Sequence, residues 1–472
     1  MRFAFPGVSL YFDGSVRMAK RMHFRSFPRV LAAILLFAGV RSVRAQEPGA
    51  NAEQRNPNVA VEAMAFFHPD TAKGLVCVTY RINPAFFTFV RGRSSLGFEE
   101  YQARGLLIME LQDAAGATVS SESRPIELNR TTPVRDGEVL QDVEGLATFA
   151  VAPAEYRLVV ELKDTESGRS FLNREQTIRV PMRRGGRLQM TRPVFVAEPG
   201  APTDTMPVQY VPLNRGGRVV IGTPGGCLFE YSSFLPRTAR ITWEIETEKA
   251  DRYSERQKFS GTAGQGARGL IQPSERDGRP CLVAEPDSTN SALYLRLPLA
   301  ELQPGMFTLT VRIDSGAASA ENRIRFEVYW PNRPLSLGDF ALAVEALRHI
   351  APKEEFDGLS ALSTERGLER FRTFWKKRSP DTTRAFNPVM AEYYRRVDEA
   401  IKRYSTRDAA DGYKSDRGRI LILFGSPSHV ERLLKPGSVP TELWTYDRLR
   451  KLFIFSDPDR NGTYNLTRVE NL

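Results

Sequence analysis

From Val59 onward, apolar and polar residues alternate in short runs: Val59–Phe67, Leu75–Ile82, Leu106–Leu111, Thr148–Val151, Tyr156–Leu162 and Thr177–Val180. A period of two with one apolar face is what a β-strand needs to pack on a second layer. Turn signals such as Asp113-Ala-Ala-Gly116, read as a hairpin loop, separate the runs at sandwich-like spacing. A second set follows: Val208–Val211, Val219–Ile221, Cys227–Tyr231, Ala239–Ile245, Leu293–Leu297, Phe307–Ile313 and Ile324–Trp330. The sets resemble a divergent repeat. Tyr156, Leu158, Val160 and Leu162 alternate after Pro153-Ala-Glu, as Phe307, Leu309, Val311 and Ile313 do after Pro304-Gly-Met. The pattern predicts two Ig- or fibronectin-like β-sandwiches, 58–183 and 208–330, joined by an Arg-, Gly- and Pro-rich linker, 184–207.

After Trp330-Pro331 the period becomes 3.6. Ser336 with Asp339 resembles a capping box ahead of Phe340, Val344 and Leu347, and Pro352 closes that helix. Leu368, Phe371, Phe374 and Trp375 form a second apolar stripe, and Val389, Tyr393, Val397, Ile401 and Tyr404 a third. A strand (Ile420–Phe424), a short helix capped by Ser428 and Glu431, and three strands (Leu443–Tyr446, Leu452–Phe455, Tyr464–Leu466) are expected next. Residues 331–472 therefore read as an α+β domain.

At 472 residues the chain exceeds one core, and 41% hydrophobic with 26% charged residues is ordinary for a folded protein. The net charge of +10 invites a nucleic-acid reading, but eight basic residues against Asp13 in the first 45 account for +7 of it. The small remainder requires no concentrated phosphate-binding surface, so no nucleic-acid partner is expected. Arg25 and Arg29 precede the apolar run Val30–Val40, and Val43-Arg44-Ala45 offers small residues at a cleavage site. This describes a secretory signal peptide over 1–45, cut before Gln46, with 46–57 a flexible start to the mature chain. Eleven apolar residues rise only about 16 Å as a helix, short of a ~30 Å hydrocarbon core, so no transmembrane span is expected after cleavage. Met18 and Met22 are alternative starts.

Export permits a disulfide between Cys227 and Cys281, within one predicted β-domain, with Cys77 left free. No C-x-x-C occurs and the histidines are scattered, so neither metal nor cofactor is expected. Gly264-Gln-Gly266-Ala-Arg-Gly269 fits a dinucleotide fingerprint in letters only, lacking the preceding strand and following helix, and reads as a loop. Asp457-Pro-Asp459-Arg-Asn461-Gly462 begins like a calcium loop, but Arg468 stands where the bidentate Glu belongs, so a tight hairpin is expected. The basic cluster Arg372, Lys376, Lys377 and Arg378 reads as a solvated helix face.

The most specific signal is the order Phe371-Arg-Thr-Phe-Trp375, Asn387, Glu392-Tyr-Tyr-Arg-Arg396, then Gly412-Tyr413-Lys414-Ser415-Asp416-Arg417-Gly418-Arg419, Gly425-Ser-Pro427 and Glu442-Leu-Trp444-Thr-Tyr446. It resembles the GWxTD-domain family of exported bacterial proteins. Tyr413 replaces that family's Trp, Ser415 its Thr, and Ser379 departs from its Asp before Pro380. The resemblance implies a bacterial envelope protein with β-sandwich modules ahead of the signature domain, and no established activity.

Read from the residues, Gly412 ends the preceding segment in the left-handed region, Tyr413 plugs a helix–sheet interface, and Asp416 accepts backbone N–H bonds in a turn. A functional reading instead makes Tyr413, Asp416, Arg417 and Trp444 line a recognition cleft. The expectation is an exported, periplasmic or secreted, non-catalytic protein that binds an envelope protein or glycan. The alternative is a hydrolase using Asp416 with His429 or Ser426. Intact mass of the exported protein is expected to place its first residue at Gln46; a membrane-retained chain keeping the first 45 residues would contradict that.

Overall fold

The alternating runs of the first half are strands in the computed structural model. It describes residues 56–472 apart from 57, 94–96, 136, 137, 139, 184–186, 201–207, 233–238, 361–363 and 407–410, and apart from the side chains of 360, 364 and 365. The expected signal segment and nearly all of 46–57 lie outside the described residues.

Strands β1 (Val59–Phe67), β2 (Gly74–Ile82), β3 (Val90–Arg93), β4 (Glu99–Gln112), β5 (Thr118–Arg130), β6 (Val143–Val151), β7 (Glu155–Asp164) and β8 (Ser170–Arg179) form two antiparallel sheets. One has the order β1-β2-β6. In the other, β4 pairs with β5 on one side and with β3 and β7 on the other, and β8 follows β7. Val61, Val76 and Val78 of the first sheet share a core with Leu107, Met109, Leu158 and Leu162 of the second. Strand β5 carried no alternating signal because it is an edge strand with Ile126 as its one buried residue. The Asp113 turn joins β4 to β5, its carboxylate accepting from the amides of Ala115 and Ala117 at 2.9 Å each.

The next strands are β9 (Val194–Ala197), β10 (Gln209–Tyr210), β11 (Arg218–Val220), β12 (Gly225–Ser232), β13 (Arg240–Ala250), β14 (Lys258–Ala263), β15 (Ala267–Arg268), β16 (Leu270–Arg276), β17 (Arg279–Glu285), β18 (Asn290–Leu297), β19 (Gly305–Ser315) and β20 (Ala318–Tyr329). They make sheets of order β15-β18-β12-β9, β11-β20-β19-β13-β14 and β10-β17-β16. Phe195, Phe229 and Leu295 of the first pack with Ile241, Phe307, Leu309 and Phe326 of the second. Strand β9 corrects the expected linker: Val194, Phe195 and Val196 are buried, and they pair with β12.

A further core joins the two groups of sheets. Met64, Phe66, Leu75, Cys77 and Leu146, on the back of the β1-β2-β6 sheet, meet Val194, Val196, Leu228, Ile271 and Leu282. The chain is therefore mostly β-structure in several sheets, with cores that continue into one another.

Helices α1 (Phe340–Ala346), α2 (Lys353–Ser360), α3 (Thr364–Lys376), α4 (Pro388–Tyr404) and α5 (Asp416–Phe424) come next, with strands β21 (His429–Leu433), β22 (Thr441–Tyr446), β23 (Lys451–Ser456) and β24 (Asn465–Asn471). Two expectations reverse here. Ile420–Phe424 is helix, not strand, because Ser415 caps Gly418 N–H and Gly425, at φ 79°, closes the last turn onto Leu421 O. The predicted helix at Ser428–Glu431 is instead strand β21, paired with β22. Asp339, not Ser336, is the cap of α1, accepting from Ala341 and Leu342. Arg372 is no solvated charge either: it donates to Tyr253 O at 2.8 Å and Ser254 O at 2.9 Å, tying α3 to the turn after β13.

The Cys227–Cys281 bridge is not formed; Cys77, Cys227 and Cys281 are all buried free thiols. Cys227 points between its two sheets, while Cys281 belongs to the separate β10-β17-β16 sheet. Burial pushes the Cys77 and Cys227 thiols well above their ordinary range. Non-reducing peptide mapping is expected to find three free thiols that react with Ellman's reagent only on unfolding; a mapped 227–281 bridge would overturn this.

Candidate functional site

The signature segment is built around two glycines that touch. A Cβ on Gly418 would lie 2.1 Å from Gly412 O, and one on Gly412 would lie 2.4 Å from Ser405 N. Gly412 is absent from the positive-φ glycines, so it is required for close approach, not for the left-handed turn expected of it. Ser415 completes the joint: its hydroxyl donates to Gly412 O at 2.7 Å and accepts from Gly418 N at 3.0 Å. This docks the start of α5 against the end of α4.

With that start fixed, successive residues face different ways. Tyr413 is buried in the core beneath the helices, and its carbonyl accepts from His349 Nε2 at 2.9 Å. Burial lowers the His349 pKa, against the raising effect of this bond. Asp416 is half-buried at the first turn of α5; one carboxylate oxygen accepts from Leu466 N at 2.8 Å and the other from Arg419 at 3.1 Å. Its acceptor role is thus directed at β24 from a helix start, where a negative charge is favourable.

Arg417 is the centre of the cluster. Its guanidinium lies 4.9 Å from the Tyr404 ring and 4.2 Å from the Tyr464 ring. It donates to Gly462 O at 2.8 Å and to Glu442 at 3.4 Å. Glu442 is only 3% exposed and also receives Arg432 Nε at 2.9 Å and Trp444 Nε1 at 3.3 Å. Trp444 packs between Tyr404 and Phe455. The turn that presents Gly462 is held by buried Asp457, which accepts from Asn461 N and Gly462 N. The segment does join two antiparallel strands, β23 and β24, but through the wide connection 457–464 between the paired Ser456 and Asn465, not the tight hairpin expected. The arrangement neutralises one buried cation with one buried carboxylate and stacks the cation on aromatic faces.

The structure thus brings Arg417 and Trp444 together through Glu442, sets Asp416 beside them, and turns Tyr413 into a different part of the core. Ser426 and His429 are exposed and lie beyond the far end of α5, about 13 Å of helix away from Asp416. They do not meet it. Ser428 accepts from Asp447 N. Among the described residues no three His, Cys, Asp or Glu side chains converge as a metal site. A shallow cleft of about 370 Å³ lies elsewhere, between Asp251–Tyr253 and Arg333–Gly338, and none of the four candidate residues lines it. Sequence reasoning missed Glu442, Tyr404 and Tyr464. Glu442 was findable, because it stands two positions before Trp444 on a strand and so shares its face.

Residues 317–471 match the family model of the GWxTD domain. No curated protein matches the chain. Similar solved structures include a red sea bream transglutaminase, at 7% identity and a TM-score of 0.16 over 59% of this chain and 32% of that one. Another is a Mobiluncus mulieris adhesin containing intramolecular disulfide, isopeptide and ester cross-links, at 8% identity and a TM-score of 0.15 over 58% of this chain and 100% of that one. The chain spans about a third of the transglutaminase's length. At such scores neither likeness bears on fold or function.

Replacing Asp416 tests its role in this joint. Asp416→Asn keeps an acceptor for Leu466 N–H and is expected to cost under about 1 kcal/mol, through lost charge at the helix start. Asp416→Ala leaves that amide unpaired and is expected to cost about 1–3 kcal/mol in thermal or denaturant melts. Equal, unperturbed melting of both variants would contradict the structural role.

Proposed function

We propose that this chain, which carries a GWxTD domain over residues 317–471, is an exported, non-catalytic binding protein that engages a protein partner in the bacterial envelope, periplasmic or secreted. In this reading its two groups of sheets are Ig- or fibronectin-like modules over 58–183 and 208–330, and 331–472 is an α+β unit that presents the binding edge.

The observation that carries the proposal is strand β21. It stands at the edge of the β21-β22-β23-β24 sheet, and all five of its residues are exposed. Val430 and Leu433 on the strand, and Leu434 and Val439 in its connection to β22, are apolar and exposed, Leu434 by 65%. An edge with unpaired main chain and apolar side chains accepts a strand from another protein, with alternate side chains supplying specificity. Such a surface favours a polypeptide over a glycan. The signature side chains support the same reading, since Asp416, Arg417, Glu442 and Trp444 are bonded within the fold and serve to position this sheet.

A photo-crosslinking residue placed at Leu434 in the full exported chain, in its native envelope, is expected to trap a discrete protein. Charged substitutions at Val430 and Leu433 should reduce that product by about tenfold, the effect of removing apolar contacts worth ~1.4 kcal/mol. Undiminished trapping in the variants, or a product that is glycan and not protein, would overturn the reading.

A further inference from the structure

On strand β12 successive side chains alternate between two cores. Cys227, Phe229 and Tyr231 point between the two large sheets of their own region, and Leu228 points into the junction with the first region. By the same alternation Glu230 points into that junction. It is fully buried. One carboxyl oxygen accepts from Phe67 N, at the end of β1, at 2.6 Å, and the other from Ile271 N, in β16, at 2.5 Å. A single carboxyl group therefore joins three strands across the contact between the two β-regions. No residue of the apolar junction explains why a carboxylic acid stands there, and a buried charge is costly unless paired.

We propose that Glu230 is a proton-operated latch between the two β-regions, closed when its carboxyl is neutral and loosened when it is ionised. The protonated group can still accept both amide hydrogens, one at each oxygen, without placing a charge among Leu228, Ile271 and Phe66. On ionisation the proton leaves to solvent and the charge stays in the apolar junction. Two titratable groups share its surroundings: Cys77 of β2, in the same core, and Glu62, on the Met64–Phe66 face of β1, both pushed up by burial and so held towards their neutral forms. Arg183, which donates to the carbonyls of His68 and Pro69 and to Thr289, attracts the carboxylate, and Asp287 repels it. Asp287 itself lies 3.8 Å from Arg183, which offsets part of that attraction. His68 follows Phe67 in the chain, and Glu275 is engaged by Leu146 N and Arg124 across the same contact.

The direction of the effect follows from burial. Desolvation pushes Glu230 from its ordinary 4.5 up to about 8, against the lowering effect of the two amide bonds. An acid whose pKa is higher in the folded chain than in the unfolded one holds its proton longer when folded. Stability therefore falls as pH rises from about 4.5 to about 8, and Glu230 adds no further change above that window. In an exported protein this would make inter-region rigidity a function of external pH.

The test uses the full chain and hydrogen exchange at the Phe67 and Ile271 amides, corrected for intrinsic rates. In the parent, protection is expected to fall by about tenfold or more between roughly pH 6 and pH 9, while amides in the β4–β7 core change little. In Glu230→Gln, which cannot ionise, protection at both amides should be lower but flat across that range. Equal pH dependence in parent and variant, or flat protection in the parent, would overturn the proposal. Should the variant not fold, the carboxyl carbons of isotope-labelled Glu in the parent decide. A resonance titrating near pH 8 that persists in Glu62→Gln, since burial raises the Glu62 carboxyl as well, supports the latch; completion of all Glu titrations below about pH 6, or loss of that resonance in Glu62→Gln, defeats it.

Discussion

Strands such as β2 and β12 are enclosed on both faces, and the arrangement of the β-regions depends on that. In β2, Val76 and Val78 face one core and Leu75 and Cys77 another. In β12, Cys227 and Phe229 face one core and Leu228 and Glu230 the junction. Neither strand has a face left for water, so each works as a partition between cores. A truncation in either would open a cavity reaching across a boundary between regions, which a one-faced strand does not do. The junction is not purely apolar. Asn214 donates to Tyr80 O, Arg81 to Leu213 O, and Glu230 accepts from both sides, so its registration is set by directional bonds as well as by area.

The GWxTD segment shows a second use of buried polarity. Its glycines permit α5 to abut α4, its serine caps the helix, and its Asp and Arg reach across to β24 and to the Gly462 turn. The motif is a joint between a helix pair and a sheet. Arg417 stabilises it only in combination, because a guanidinium so enclosed requires Glu442 and the two tyrosine faces together. Tyr413 fills the core beneath the helices, and its carbonyl, not its ring, makes the contact with His349. The sheet so positioned then leaves β21 as one of its two edges.

Local periodicity in the chain was enough to locate most strands of both β-regions and helices α3 and α4, since period 2 and period 3.6 are properties of neighbouring residues. The order of the signature residues, not the period, singled out Tyr413, Asp416, Arg417 and Trp444. Periodicity could not distinguish helix from strand at Ile420–Phe424, because a short run apolar at every position has no period to read. Only the cap at Ser415 and the closure at Gly425 decide it. Nor could it assign partners. Glu230 on paper is one polar residue in an alternating strand, and Cys227 and Cys281 are two thiols in one predicted domain. Which side chains share a core, and which carboxyl is enclosed at the junction, depends on residues up to 163 positions apart, as Glu230 and Phe67 are. Those long-range contacts exist only once the sheets have stacked, and so the tertiary structure alone decided them.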